Sequence, residues 1–280
     1  MEAEGPDFDL RTPEGLRGMR ESLSHRPVPH GPQPEEVIAE AGGRQVPVRV
    51  LRPQSGDARG VYLDIHGGGF YMGWAARNDA KNRRLADACG VAVVSVDYRL
   101  APEDPWPAAP DDCETAALWL LEVAEERFGT ARLAIGGASA GGNLAMTALL
   151  RLRDKGLAEP FVATAIQYGA FDLSGITPAG RIIADEFFLE AYVGEIDDCT
   201  YPDISPNFGD LHDLPPTLIL VGTEDILLED NLTMAARLAA AGTDVDVRAY
   251  PESPHGFTSF PIAMAEAATR DMEEWLAAWF

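Results

Sequence analysis

Cysteine is scarce and scattered: Cys89, Cys113 and Cys199 are the only three in 280 residues. The count is odd and no two stand as C-x-x-C, which argues against a disulfide framework and against a zinc site. Three reduced, mostly buried thiols are the expectation. Basic residues are also few, 22 Lys and Arg against 45 Asp and Glu, for a formal net charge of −23. No cluster of Lys or Arg breaks that acidity, so nucleic acid and anionic membrane surfaces are poor partners. Apolar runs stay far short of the roughly 20 residues that a membrane span needs. The opening stretch MEAEGPDFDL is acidic and has no apolar centre, so it does not read as a signal peptide, and a cytoplasmic location is expected. Internal repeats and low-complexity segments are absent. So are G-x-x-x-x-G-K-[ST] and a helix-opening G-x-G-x-x-G, which speaks against a nucleotide site.

What remains is ordinary for a globular chain, 46% hydrophobic and 24% charged, and long enough to bury most of its apolar surface without staples. Residues 1–35 are rich in proline, glycine and charge; GLRGMRESL suggests a short helix and HRPVPHGPQP a loop. Strand-like runs follow. EVIAEA and VPVRVL alternate apolar and polar residues on either side of Gly42-Gly43, as in a hairpin. GVYLDI, VAVVSV, RLAIGG, FVATAIQY, PTLILVG and DVDVRAY bring the candidates to eight. VAVVSV is nearly all β-branched, the pattern of a strand buried on both faces. Helical patterns alternate with the strands from about residue 60: NDAKNRRLADACG and DDCETAALWLLEVAEERFG, each stopped by glycine, then AGGNLAMTALLRLRDKG, NLTMAARLAAAG and AMAEAATRDMEEWLAAWF. The fold class is therefore α/β, a mostly parallel sheet of about eight strands flanked by helices, in one domain over 1–280. Residues 171–215 break the alternation with RIIADEFFLEAYVG, which reads as one amphipathic helix, and YPDISPNFGDLHDLPP. An insertion after a buried strand often covers a site on the sheet, so 171–215 and 1–35 are expected to form a small helical cap.

Two glycine-rich segments carry the chemical signals. Gly137-Ala138-Ser139-Ala140-Gly141 matches G-x-S-x-G. Chance alone supplies about 0.1 such matches in a chain of this length. Its placement gives it weight: Ser139 falls where a strand turns sharply into a helix, and its neighbours are small. The following helix points free N–H groups and its positive end at that serine. His66-Gly67-Gly68-Gly69 follows GVYLDI, and its glycine N–H groups can face a carbonyl oxygen as it gains charge.

A serine nucleophile needs a base, and the base an orienting acid. Of the five histidines, His25 and His30 lie in the N-terminal loop, His66 in the glycine loop and His212 in a polar loop. His255, in PESPHGF just after the last strand, is the best-placed base. For the acid, Asp225 follows the buried strand PTLILVG, with Glu224 as nearest rival; Glu229 and Asp230 are expected to face solvent on the next helix. Serine first and histidine last is the chain order of the α/β-hydrolase arrangement.

Together these residues resemble the hormone-sensitive-lipase-like esterases, a branch of the α/β-hydrolase fold. The likeness spans about 45–280, through HGGGF at 66–70, DYRLAPEDPWPA at 97–108, GASAGGNLA at 137–145, ISPNFGDLHDLPPTLILVG at 204–222, DILLED at 225–230 and HGF at 255–257. It implies Ser139 as nucleophile, Asp225 as acid and His255 as base, with the N–H groups of Gly68, Gly69 and Ala140 as the oxyanion hole. It makes His66 structural, and places Asp97, Arg99 and Glu103 in a buried polar network behind the site. Two positions depart from the family pattern: Ala138 stands where relatives often carry Asp or Thr, and Ile226 where Pro often follows the acid.

The expected reaction is hydrolysis of short- to medium-chain carboxylic esters through an acyl-enzyme, with no metal or organic cofactor. Candidate pocket residues, from their place in the site loops and cap, are Phe70, Tyr71, Trp74, Phe171, Phe187, Phe188, Tyr192, Ile226 and Phe257. A formamidase, amidase or lactonase could use the same triad, whereas a non-catalytic small-molecule receptor would not need all three residues. By resemblance alone, a homodimer through DVDVRAY is a further expectation.

Overall fold

The turn at Gly42-Gly43 joins β1 (Glu35–Ala41) to β2 (Arg44–Leu51) as an antiparallel hairpin, with Ala41 opposite Arg44. In this computed structural model, which describes residues 8–24, 33–54, 56–184 and 186–280, six more strands extend the hairpin into one sheet. They are β3 (Val61–Ile65), β4 (Ala92–Val96), β5 (Leu133–Ala138), β6 (Phe161–Gln167), β7 (Thr217–Gly222) and β8 (Val245–Tyr250). The spatial order is β1-β2-β4-β3-β5-β6-β7-β8, with β2 antiparallel to β4 and every later pair parallel. All eight expected strands are thus present. His25, His30 and most of HRPVPHGPQP lie outside the described residues.

The helices are α1 (Pro13–Ser24), α2 (Asp79–Cys89), α3 (Ala108–Phe128), α4 (Ala140–Asp154), α5 (Pro178–Ile183), α6 (Phe187–Val193), α7 (Leu228–Ala240) and α8 (Ala263–Ala277). Strand side chains alternate between the two faces of the sheet. Leu63, Ile65, Val94 and Val96 pack with Leu120 of α3, Leu144 of α4 and Met234 of α7. Tyr62 and Val93 pack with Leu85 of α2 and Met272 of α8. Covered on both sides, β3, β4 and β7 are buried at every position, which explains why each carries only one polar side chain, Asp64, Ser95 and Thr217. Cys89 and Cys113 are buried, Cys199 is partly exposed, and all three thiols are free. Among the described residues no helix is long and apolar enough to cross a membrane.

The insertion differs from its sequence reading. RIIADEFFLEAYVG forms two short helices, α5 and α6, because Glu186 is extended (φ −73°, ψ 136°). Each helix has its own anchor. In α5, Thr177 Oγ1 accepts the Gly180 N–H at 3.0 Å, and a Cβ on Gly180 would lie 2.8 Å from the Asp172 carboxylate. In α6, Tyr192 stacks on Phe70 with ring centroids 3.8 Å apart. Ile183 and the buried α6 residues pack into the same core, so apolar residues stand on both sides of the break and composition does not mark it.

Asp230 also departs from expectation. Glu229 is exposed, but Asp230 is only 1% exposed, because α7 packs against the insertion. Its carboxylate accepts the N–H groups of Phe171 (2.5 Å) and Asp172 (3.1 Å) and the Asn207 amide. Burial nevertheless pushes Asp230 up to about 7, against those three donors. Between about pH 4 and 7 the folded chain then holds a proton that the unfolded chain has released, so this group's stabilisation is lost as pH rises through that window. From pH 5 to pH 8 the wild type is expected to lose at least about 1 kcal/mol more stability than Asp230→Asn. Urea midpoints across that range measure it, and parallel slopes would refute it.

Candidate active site

The end of β5 is crowded. A Cβ on Gly137 would lie 2.4 Å from the carbonyl oxygen of Ile65, and one on Gly141 only 2.0 Å from the same atom. Only glycine fits at either position. Between them Ser139 takes φ 56° and ψ −121°, a left-handed backbone that a side chain rarely adopts. Four hydrogen bonds hold it there: its N–H donates to Gln167 O at 2.9 Å, and its carbonyl accepts from Gly142 N (2.9 Å), Asn143 N (3.3 Å) and Ala170 N (3.4 Å). Helix α4 begins at Ala140, so its first N–H groups lack intrahelical acceptors beside the serine.

Loops after β7 and β8 are tied to each other. Glu224 N donates to Ser253 O at 3.1 Å and Glu252 N to Thr223 Oγ1 at 3.0 Å. A Cβ on Gly222 would lie 1.9 Å from Ser253 O, so the loops lie in direct contact. Across this junction His255 Nδ1 is 2.9 and 3.1 Å from the Asp225 carboxylate oxygens, and His255 Nε2 is 3.0 Å from Ser139 Oγ. A carboxylate only accepts, so Nδ1 carries the proton and Nε2 is free to accept from the serine hydroxyl. Asp225 is fully buried and takes a further bond from Leu227 N at 2.8 Å, whereas His255 is 32% exposed. Glu224, the rival acid, is exposed. Tyr168 meets the His255 ring edge-on at 5.0 Å.

The glycine loop lies on this elbow. His66 stacks on Tyr98 at 4.1 Å, and the Tyr98 hydroxyl donates to His66 O at 2.9 Å. Burial pushes the His66 pKa down, which favours a neutral ring whose Nδ1 donates to Gly67 O at 3.0 Å. Gly68, at φ 135°, accepts from Tyr71 N and Met72 N, which closes the loop tightly. Gly68, Gly69, Ser139, Ala140 and His255 all border one cavity of about 420 Å³.

Asp97, Arg99 and Glu103 do not form one buried network. All three are exposed and act separately. Past β4 the chain runs along the surface, turning Tyr98 inward and its two neighbours outward. Asp97 accepts the Ala75 N–H at 2.9 Å, Arg99 pairs with Asp112 at 2.8 Å, and Glu103 pairs with Arg20 at 2.8 Å. Arg20 also donates to Tyr71 O and Ala101 O, tying α1 to the loop after the glycines.

Of the expected pocket residues, Phe70, Tyr71, Phe188 and Ile226 border the cavity. Phe187 sits edge-on to Tyr71 outside it, Tyr192 lies beneath Phe70, and Phe257 is buried against Tyr250 and Tyr168. Phe171 is also buried, and neither it nor Trp74 is part of the wall. Aromatic spacing in the sequence marked core here. Conversely, Arg77, Asn78, Lys81, Tyr168, Glu186 and Ser259 border the cavity and were not foreseen. Tyr168 had a signal, its place at the end of a parallel strand; the polar residues opening α2 had none.

The family described as alpha/beta hydrolase fold matches residues 62–259. LipN, a carboxylic ester hydrolase of Mycobacterium tuberculosis, is 35% identical over 80% of this chain, which spans 64% of LipN's length. The carboxylesterase NlhH of the same organism is 34% identical over 84% of this chain and 78% of its own. A hormone-sensitive lipase from a metagenome library superposes with a TM-score of 0.81 at 31% identity, covering 96% of this chain and 94% of that one. The crowding at Ile65 O yields a direct test. Gly141→Ala, with its Cβ at 2.0 Å from backbone, should cost about 3 kcal/mol or more or prevent folding, whereas Ala138→Ser should cost under about 1 kcal/mol. Chemical denaturation reads both, and a mild Gly141→Ala would contradict the packing account.

Proposed function

The chain belongs to the alpha/beta hydrolase fold family and to its hormone-sensitive-lipase-like branch of carboxylic ester hydrolases, and from that premise we propose that it cleaves esters through Ser139, His255 and Asp225 with an acyl-enzyme intermediate. One observation carries this reading: Ser139 Oγ lies 3.0 Å from His255 Nε2, whose Nδ1 rests 2.9 Å from the buried Asp225.

His255 takes the Ser139 proton as Oγ attacks the ester carbonyl. Asp225 holds the imidazole in the tautomer that accepts and stabilises its cation. The N–H groups of Gly68, Gly69 and Ala140 receive the oxyanion, each worth on the order of 3 kcal/mol in the transition state. His255 then protonates the leaving alcohol. It next activates a water that attacks the acyl-enzyme, releasing the acid and restoring the serine.

The cavity supports a small substrate. At about 420 Å³ it lies toward the lower end of ligand pockets, which run roughly 300–1,000 Å³. Phe70, Phe188 and Ile226 supply apolar wall, in keeping with short to medium acyl chains. Residues 171–215 act as the cap, with Ile183, Glu186 and Phe188 brought to the cavity, and α1 braces it through Arg20.

Ser139→Ala should fold with an unchanged melting temperature, hydrolyse p-nitrophenyl butyrate at background and refuse a fluorophosphonate probe that labels the wild type. Activity surviving in that variant would sink the reading. Asp225→Asn should lower kcat by about 10⁴-fold, since the wrong histidine tautomer then faces Ser139.

A further inference from the structure

The proposed chemistry leaves one part of the cavity wall without a role. Arg77, Asn78 and Lys81, where the chain enters α2, border the same cavity as Ser139 and His255. Lys81 is the unusual member. Its Nζ donates to the neutral Gln167 Oε1 at 2.9 Å, and Thr258 donates to that oxygen too. Burial pushes the Lys81 ammonium below its ordinary value, while the fields of Asp64 and Glu273 oppose the shift from a distance. Neither carboxylate is available to it as a close partner. Asp64 is engaged by Asn78, Asn82 and Ser95, and Glu273 by Arg84.

Three partly buried arginines of this acidic chain have direct carboxylate partners: Arg49 with Asp79, Arg84 with Glu273, Arg151 with Asp203. Lys81 departs from that pattern: it borders the cavity with a neutral partner. Among the described wall residues the carboxylate is Glu186, whose field acts on Tyr71. A desolvated ammonium with a neutral partner is costly, and an anion entering beside it recovers that cost as charge-assisted hydrogen bonds.

We propose that the ester substrates carry a carboxylate, seated against Lys81 while the ester carbonyl lies at Ser139. The inference rests on the ester-hydrolase reading and adds the substrate class. It gives the cavity an apolar part and a cationic part, as in an ester of a dicarboxylic acid or of a hydroxy acid.

The test compares anionic esters with neutral partners of similar size. On the acyl side, mono-p-nitrophenyl succinate and glutarate are set against p-nitrophenyl butyrate and valerate. On the alcohol side, 4-acetoxybenzoate is set against its methyl ester. In at least one arm the wild type should favour the anionic ester in kcat/KM by about tenfold or more, the scale of one charge-assisted hydrogen bond. Lys81→Gln and Lys81→Met should reduce that ratio about tenfold, mainly through KM of the anionic ester, and Lys81→Arg should restore part of it. The arm with the preference tells which side of the ester bears the charge. Preference for the neutral ester in both arms, or a ratio unmoved in both neutral Lys81 variants, overturns the proposal while ester hydrolysis stands. Hydrolysis of no ester at all removes the functional reading itself, and this inference with it.

Discussion

The carbonyl oxygen of Ile65 sits where side chains at 137 and 141 would have to be. That close approach of β3 to the start of α4 is what the rest of the site depends on. It forces glycine on either side of Ser139 and turns the serine out of the sheet in a left-handed backbone. It also brings the loop after β3 onto the elbow, where a Cβ on Gly67 would lie 2.6 Å from Ala138 O. Ser139 and the glycine loop are therefore positioned by one contact between neighbouring parallel strands. The other half of the site has a similar origin, since Gly222 and Ser253 touch where β7 and β8 end. Two backbone contacts at one edge of a parallel sheet thus place side chains from far apart in the chain.

Such constraints leave marks in sequence when they exclude whole residue types. Gly137 and Gly141 are legible because nothing larger fits, and VAVVSV because β4 is buried on both faces. Position at a strand end made His255 and Asp225 readable as well. Other features depend on which side of a loop faces inward, and composition is silent on that. Asp97 and Arg99 flank a buried tyrosine and turn outward, so polar residues expected in a buried network lie at the surface. Asp230 does the opposite, entering the interior because the inserted segment offers it three N–H donors. Lys81 looks like any exposed helix lysine until α2 is placed beside the cavity. Phe187, Tyr192 and Phe257 are aromatic and near the site in sequence, yet packing against Tyr71, Phe70 and Tyr168 respectively uses their rings.

Asp225 and Asp230 show how environment separates two buried carboxylates five residues apart. Asp225 meets the His255 imidazole and one N–H. Asp230 meets only neutral donors, with Asp172 nearby to disfavour a second charge. Its arrangement couples the attachment of residues 171–172 and 207 to protonation. Asp230 lies against residues 171–172, so the inserted segment rests on α7, the helix that follows Asp225.

Arg20 reaches Tyr71, Ala101 and Glu103 across separations of 51, 81 and 83 residues. None of those acceptors is in place until β3 and β4 have paired and the chain beyond them has turned back. Helix α1 therefore leaves the ribosome well before the surface it rests on exists. Its own length of 12 residues is marginal for an isolated helix. A helix synthesised before the sheet is thus among the last to dock, and the wall it braces stays open until the sheet behind it has formed.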